Sequence, residues 1–177
     1  MKKFFLLSAA LLLSLCLGLE ASAYEFNGKR FFKCSTCSTA YPTYAWGDNM
    51  SGPSVLKSGW QSGISDWNGK QSKVEFIYAS NSNSKLHSYS NKDKSLYGEM
   101  VAPTDILGFV TKFDGYINVN AENISTNNVA RSVAGHELGH AMGLDHNSGT
   151  SIMNSKRVRS QLYEPQKDDV NGINARY

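Results

Sequence analysis

Apolar residues recur along this chain in two rhythms, and each predicts a kind of element. Tyr41, Tyr44 and Trp46 crowd the stretch YPTYAW over 41–46, and this aromatic density predicts a strand. In SGPSVLKSGWQSGISDWNG the rhythm changes. Val55, Leu56, Trp60, Ile64 and Trp67 recur at helical spacing, so both tryptophans are expected in the core. Ser51 suits the cap of that helix, Pro53 its first turn, and Asn68-Gly69 its end. VEFIYA over 74–79 predicts a second strand, and YGEMVA over 97–102 a third, stopped by Pro103. The serine- and asparagine-rich 81–94 predicts a surface loop or a poorly formed hairpin. YINVN over 116–120 alternates behind Asp114-Gly115, which predicts a strand entered from a hairpin-type turn. NNVARSVAGHELGHAMG then predicts a long helix opened by Thr126 or Asn127, with Val129, Val133 and Leu138 facing the core. PQKDDVNGINARY predicts a C-terminal helix. Strands come mostly first and helices flank them, so the class is α+β, a twisted sheet with helices packed against it.

The first residues stand outside this pattern. Lys2 and Lys3 precede an apolar run from Phe4 to Leu17, and Ala21-Ser22-Ala23 matches a cleavage signal. Together they predict a secretory signal peptide over 1–23. Acylation of Cys16 is disfavoured by the bulky Leu15 before it. The expected organisation is a signal peptide at 1–23, a short leader at 24–40 and one folded domain at 41–177. The expected location is secreted, with no membrane span after cleavage. The formal charge of +3 falls to about +2 without Lys2, Lys3 and Glu20, and no dense basic block suggests nucleic acid. Cys34 and Cys37 survive cleavage. In an exported chain their leading reading is a local disulfide, because neither a βαβ setting for redox chemistry nor further zinc ligands lie nearby.

HELGHAMGLDH, residues 136–146, holds three of the four histidines. His136 and His140 are four apart and share one helix face. Glu137 sits beside them, placed to accept a proton from activated water. Gly143 permits a sharp turn that returns His146 as a third ligand. Three ligands leave a fourth position open, as a catalytic zinc requires.

Ser151-Ile152-Met153 follows, and here the chain resembles the metzincin metalloproteases, which pair the extended zinc motif with a methionine turn. Met153 matches that methionine. HELGHAMGLDH and DDVNGINARY together are most similar to the matrixins, over about Ala130 to Tyr177. The resemblance implies a twisted, mostly parallel sheet with an antiparallel edge strand, a long active-site helix and a C-terminal helix. It implies that Asp168 and Asp169 tie the last helix to the methionine turn. It implies a secreted zinc endopeptidase with one catalytic Zn²⁺, acting on protein or peptide laid along the edge strand at 97–102. Specificity would fall to a pocket walled by residues 154–163, which carry Lys156, Arg157 and Arg159. A monomer is expected.

The chain also departs from that family. His87 alone cannot build the second, structural zinc site and is expected at the surface. Asp93, Asp105 and Asp114 are too scattered for the usual calcium sites. No inhibitory prosegment is visible. A disulfide between Cys34 and Cys37 would rule out either as an inhibitory thiolate on the zinc. Two other functions stay open at this point: a zinc-binding interaction module without proteolysis, and hydrolysis of a non-protein amide.

Overall fold

The structure is a computed structural model and describes residues 24–50 and 54–177. The expected signal peptide and the Ser51 and Pro53 helix signals lie outside the described residues. In chain order the elements are β1 (Glu25–Phe26), β2 (Thr43–Trp46), α1 (Val55–Lys70), β3 (Ile77–Tyr78), β4 (Lys85–Tyr89), β5 (Gly98–Val101), β6 (Asp114–Asn118), α2 (Asn127–Ala141), β7 (Leu144–Asp145) and α3 (Lys167–Arg176). None of the described helices is long and apolar enough to cross a membrane.

Five strands form one sheet in the order β3-β2-β4-β6-β5. The first four run parallel, and β5 joins β6 antiparallel at the edge, with Met100 opposite Gly115. This is the α+β arrangement with an antiparallel edge strand that the sequence led us to expect. Trp60 and Trp67 of α1 are fully buried, together with Leu86, Ile117, Val133 and Leu138. α1 packs against α2, and Trp67 donates its indole N–H to the Gly135 carbonyl at 2.8 Å. Arg131 holds Asp66 from α2 through two charge-assisted hydrogen bonds of 2.5 and 2.6 Å. Helix α2 is thereby held against α1.

Ser54 caps α1, accepting from the Lys57 amide at 3.1 Å. Two local expectations fail for identifiable reasons. The polar stretch 81–94 contains β4, an interior strand of the sheet. Its inward positions are Leu86 and Ser88, and Ser88 is buried by bonding the Asn49 carbonyl, so only one apolar residue marked the strand. Asp114-Gly115 is not a turn but the start of β6. A Cβ on Gly115 would lie 2.7 Å from Trp60 and 3.0 Å from Leu86, so glycine there makes room for the core.

The leader is woven into the domain. β1 pairs antiparallel with β7, Glu25 opposite Asp145. The Phe31 amide donates to the Tyr177 hydroxyl at 2.8 Å, and Tyr177 donates to the Met142 carbonyl at 3.1 Å. Cys34 and Cys37 are joined by a disulfide across a turn closed by the Cys37 amide and the Cys34 carbonyl.

Candidate metal centre

Helix α2 ends where the histidines need it to end. His136 and His140 project from its last two turns, and the chain then reverses at Gly143, whose φ is +100°. A non-glycine residue is strained there, and a Cβ would also collide with the Lys29 carbonyl. β7 follows at once and delivers His146 back toward the helix. The Nε2 atom of His146 lies 3.1 Å from Nε2 of His136 and 3.2 Å from Nε2 of His140.

The proton positions follow from the other ring nitrogens. Nδ1 of His136 is 2.8 Å from the Ile152 carbonyl, and Nδ1 of His140 is 2.9 Å from the Leu144 carbonyl. A carbonyl only accepts, so both Nδ1 atoms carry hydrogen and both Nε2 atoms present lone pairs. Burial pushes both imidazoles below their usual pKa, His136 strongly, so they stay neutral. Converging lone pairs repel unless a cation sits among them. Two ligands at ~2.0–2.1 Å from a tetrahedral zinc are roughly 3.3 Å apart, close to the spacings found. The donor set therefore fits zinc on both chemistry and distance, and the three histidines form a cluster able to hold it.

The turn below is held as tightly as the ligands. Met153 is fully buried under the cluster, and Gly139 on α2 leaves the space that the Met153 sulfur fills. Of the acidic pair on α3, Asp169 reaches this turn. It accepts from the Ser151 hydroxyl and from the Ile152 amide at 2.8 Å, and also caps its own helix through the Gln166 amide. Because Ile152 offers its carbonyl to His136, Asp169 acts on that ring through a single residue.

Glu137 is buried and lines the same cleft as the three histidines, a cavity of about 320 Å³ floored by Gly98, Glu99 and Met100 of the edge strand. Burial pushes its carboxyl up to about 8, while Arg157 and Arg159 pull against that rise. A Cβ on Gly98 would come within 2.8 Å of Glu137 Oε1, so that glycine keeps the carboxylate accessible to the cleft.

Other residues singled out from the sequence lie elsewhere or do something different. His87 sits on the sheet face away from the helices, stacked on Tyr116 at 4.7 Å and accepting from the Asp48 amide. It is half-buried rather than a plain surface residue. Lys156 is exposed, whereas Arg157 is buried. Asn27 of the leader had no sequence signal at all. Its side-chain amide donates to the carbonyls of His140 at 3.0 Å and Leu144 at 3.1 Å, so it grips the acceptor that orients His140.

The matrixin family model matches residues 62–177. A solved structure similar in fold is high choriolytic enzyme 1, a hatching enzyme zinc-protease from the medaka fish Oryzias latipes. It is 14% identical with a TM-score of 0.50, covering 81% of this chain and 92% of the other. No curated protein matches significantly.

Proposed function

This chain belongs to the matrixins, zinc-dependent endopeptidases, and from that premise we propose that His136, His140 and His146 hold the catalytic zinc and that Glu137 is the general base. The observation that carries the proposal is the convergence of three Nε2 atoms beside a buried carboxylate in one cleft. When bound, zinc supplies Lewis acidity that polarises a scissile carbonyl and makes water acidic near neutral pH. The chain's own residues do the rest. His136 and His140 are held in the ligating tautomer by the Ile152 and Leu144 carbonyls. Glu137 takes the proton of the attacking water and returns it to the leaving amine. No serine triad is needed.

The substrate class is protein or peptide. The outer edge of β5 offers backbone groups to an extended chain, so recognition there depends little on sequence. Family membership is consistent with secretion. Our reading of residues 1–23 as a cleaved signal peptide predicts a secreted form that begins at Tyr24, which N-terminal sequencing would check.

The test is digestion of denatured casein or gelatin by the purified protein, with and without a zinc chelator, beside Glu137→Ala. Cleavage lost on chelation and in the variant supports the assignment. Cleavage that survives Glu137→Ala removes Glu137 as the base. A protein that binds one zinc yet cuts nothing refutes the proteolytic reading.

A further inference from the structure

The metal cleft has a neighbour. A second cavity, of about 390 Å³, lies on the other side of Arg157, Arg159 and Tyr97, and all three residues line both spaces. Two guanidiniums in the wall beside a hydrolytic site raise the question of what they bind. Their hydrogen bonds answer differently for each.

Arg157 is occupied. Its Nε donates to the Ser132 hydroxyl at 2.9 Å, Nη2 to the Ser132 carbonyl at 2.8 Å and Nη1 to the Asn154 carbonyl at 3.1 Å. It braces the wall against α2. Arg159 is not occupied. Its one hydrogen bond is long, 3.4 Å from Nη2 to the Ser155 carbonyl, and its buried Nε has no partner. Its guanidinium lies flat on the Tyr97 ring, 3.7 Å from the centroid. Stacking fixes the plane of the group and leaves its N–H edges free. Tyr97 is itself fixed, since its carbonyl accepts from the Asn118 amide at 2.9 Å. Among the described residues, no ion pair involves either arginine. Glu122 lines the second cavity without pairing to them, and Glu137 belongs to the chemistry.

A half-buried, pre-oriented guanidinium with vacant donors is built to donate two parallel hydrogen bonds to a carboxylate. We propose that Arg159 is a specificity residue that selects substrates carrying Glu or Asp at a position flanking the scissile bond. This rests on the endopeptidase reading above. The acidic side chain would enter the second cavity past Tyr97, and the fixed positive charge of Arg157 behind the wall would add to the attraction. A neutral isostere offers one acceptor instead of a charged pair, and an apolar side chain would leave the Arg159 donors unmatched.

The experiment is to digest a diverse peptide library with the purified protein and map every cut by mass spectrometry. The expected result is enrichment of Glu and Asp at one flanking position. Matched peptides with Glu, Gln or Leu there should then differ by about tenfold or more in kcat/KM, Glu being fastest. Arg159→Gln should level the Glu-to-Gln ratio, and Arg159→Lys should keep part of it. Binding of the same peptides to Glu137→Ala should show the same order and lose it in the double variant with Arg159→Gln. Cuts with no acidic enrichment, or with apolar residues favoured, overturn the proposal. So does an Arg159→Gln variant that slows all peptides equally, which would make the residue a wall brace only. Absence of any cut in the library and in casein would instead refute the endopeptidase reading on which this inference stands.

Discussion

Replacing Asn27 with alanine removes three hydrogen bonds at once: those donated to the His140 and Leu144 carbonyls, and one accepted from the Lys29 amide at 3.0 Å. Each is worth roughly 0.5–1.5 kcal/mol net. The two carbonyls are not orphaned, because His140 still accepts from the Gly143 amide and Leu144 still accepts from the His140 ring. The full penalty for stranding a buried acceptor is therefore avoided, and the loss should be about 1.5–3 kcal/mol. For a domain of this size that corresponds to a fall of ~3–12 °C in the thermal midpoint of the zinc-free protein. Zinc affinity should drop as well. Direct partners of ligating histidines contribute about 10–100-fold, and Asn27 acts one bond further out, so roughly threefold to tenfold is expected. Asn27→Asp sharpens the test. It keeps the acceptor for Lys29 but sets a carboxylate against two carbonyl oxygens, so at neutral pH its zinc-free form should melt below the alanine variant. Differential scanning calorimetry of the three zinc-free proteins decides the matter. A midpoint within a degree of wild type for Asn27→Ala, or an aspartate variant as stable as the alanine one, would show that the leader does not support the site.

Other outcomes follow from the same geometry. Adding zinc to metal-free protein should raise the melting temperature by several degrees, since occupancy at 100 times Kd is worth about 2.7 kcal/mol; an unchanged midpoint would mean that the histidine cluster binds no metal. Gly143→Ala meets both a φ of +100° and the Lys29 carbonyl, which Arg176 holds by two hydrogen bonds, so roughly 3 kcal/mol should be lost, and retained wild-type stability would contradict this. Asp169→Ala strands the Ser151 hydroxyl and the Ile152 amide and should cost about 3 kcal/mol along with zinc affinity, whereas loss of stability at constant affinity would uncouple the methionine turn from the metal. Burial pushes the Tyr177 hydroxyl from 10.0 up to about 12. A folded pKa above the unfolded one means stability present below pH ~10 and lost as pH rises toward ~12. Tyr177→Phe should flatten that alkaline limb in urea melts, and an equally steep limb in the variant would assign it to other groups.

The three-histidine cluster was legible because its geometry is local. Two histidines one helical turn apart, a glycine that reverses the chain and a third histidine three residues later specify a site with almost no help from the rest of the fold. The same holds for α1, whose tryptophans repeat at helical spacing. β4 was hidden because its inward positions are one leucine and one serine, Ser88, that is satisfied by hydrogen bonding. Asp114-Gly115 read as a turn because the sequence does not reveal that Trp60 needs the space at residue 115. Asn27 could not be found at all, nor could the bracing role of Arg157, which the sequence placed only in the pocket wall. One acts on carbonyls 113 and 117 positions away, and the other is an arginine whose three acceptors come from a helix and a turn brought beside it by folding. The sequence spells a site when the contacts are short in chain separation, and falls silent when they are long.

The stapling of the leader onto the zinc loop bears on the order in which this protein assembles. Asn27 and Leu144 are 117 positions apart, and Phe31 and Tyr177 are 146 apart. Contacts of such separation carry a large loop-closure entropy and form late. Helix α2, by contrast, is built from hydrogen bonds between neighbouring residues. A chain caught midway would hold His136 and His140 on one helix face but lack the clasp that orients His140 and the return strand that presents His146. Hydrolytic competence therefore arrives with the last steps of folding, and a partly folded copy is a poor protease toward its still-unfolded siblings.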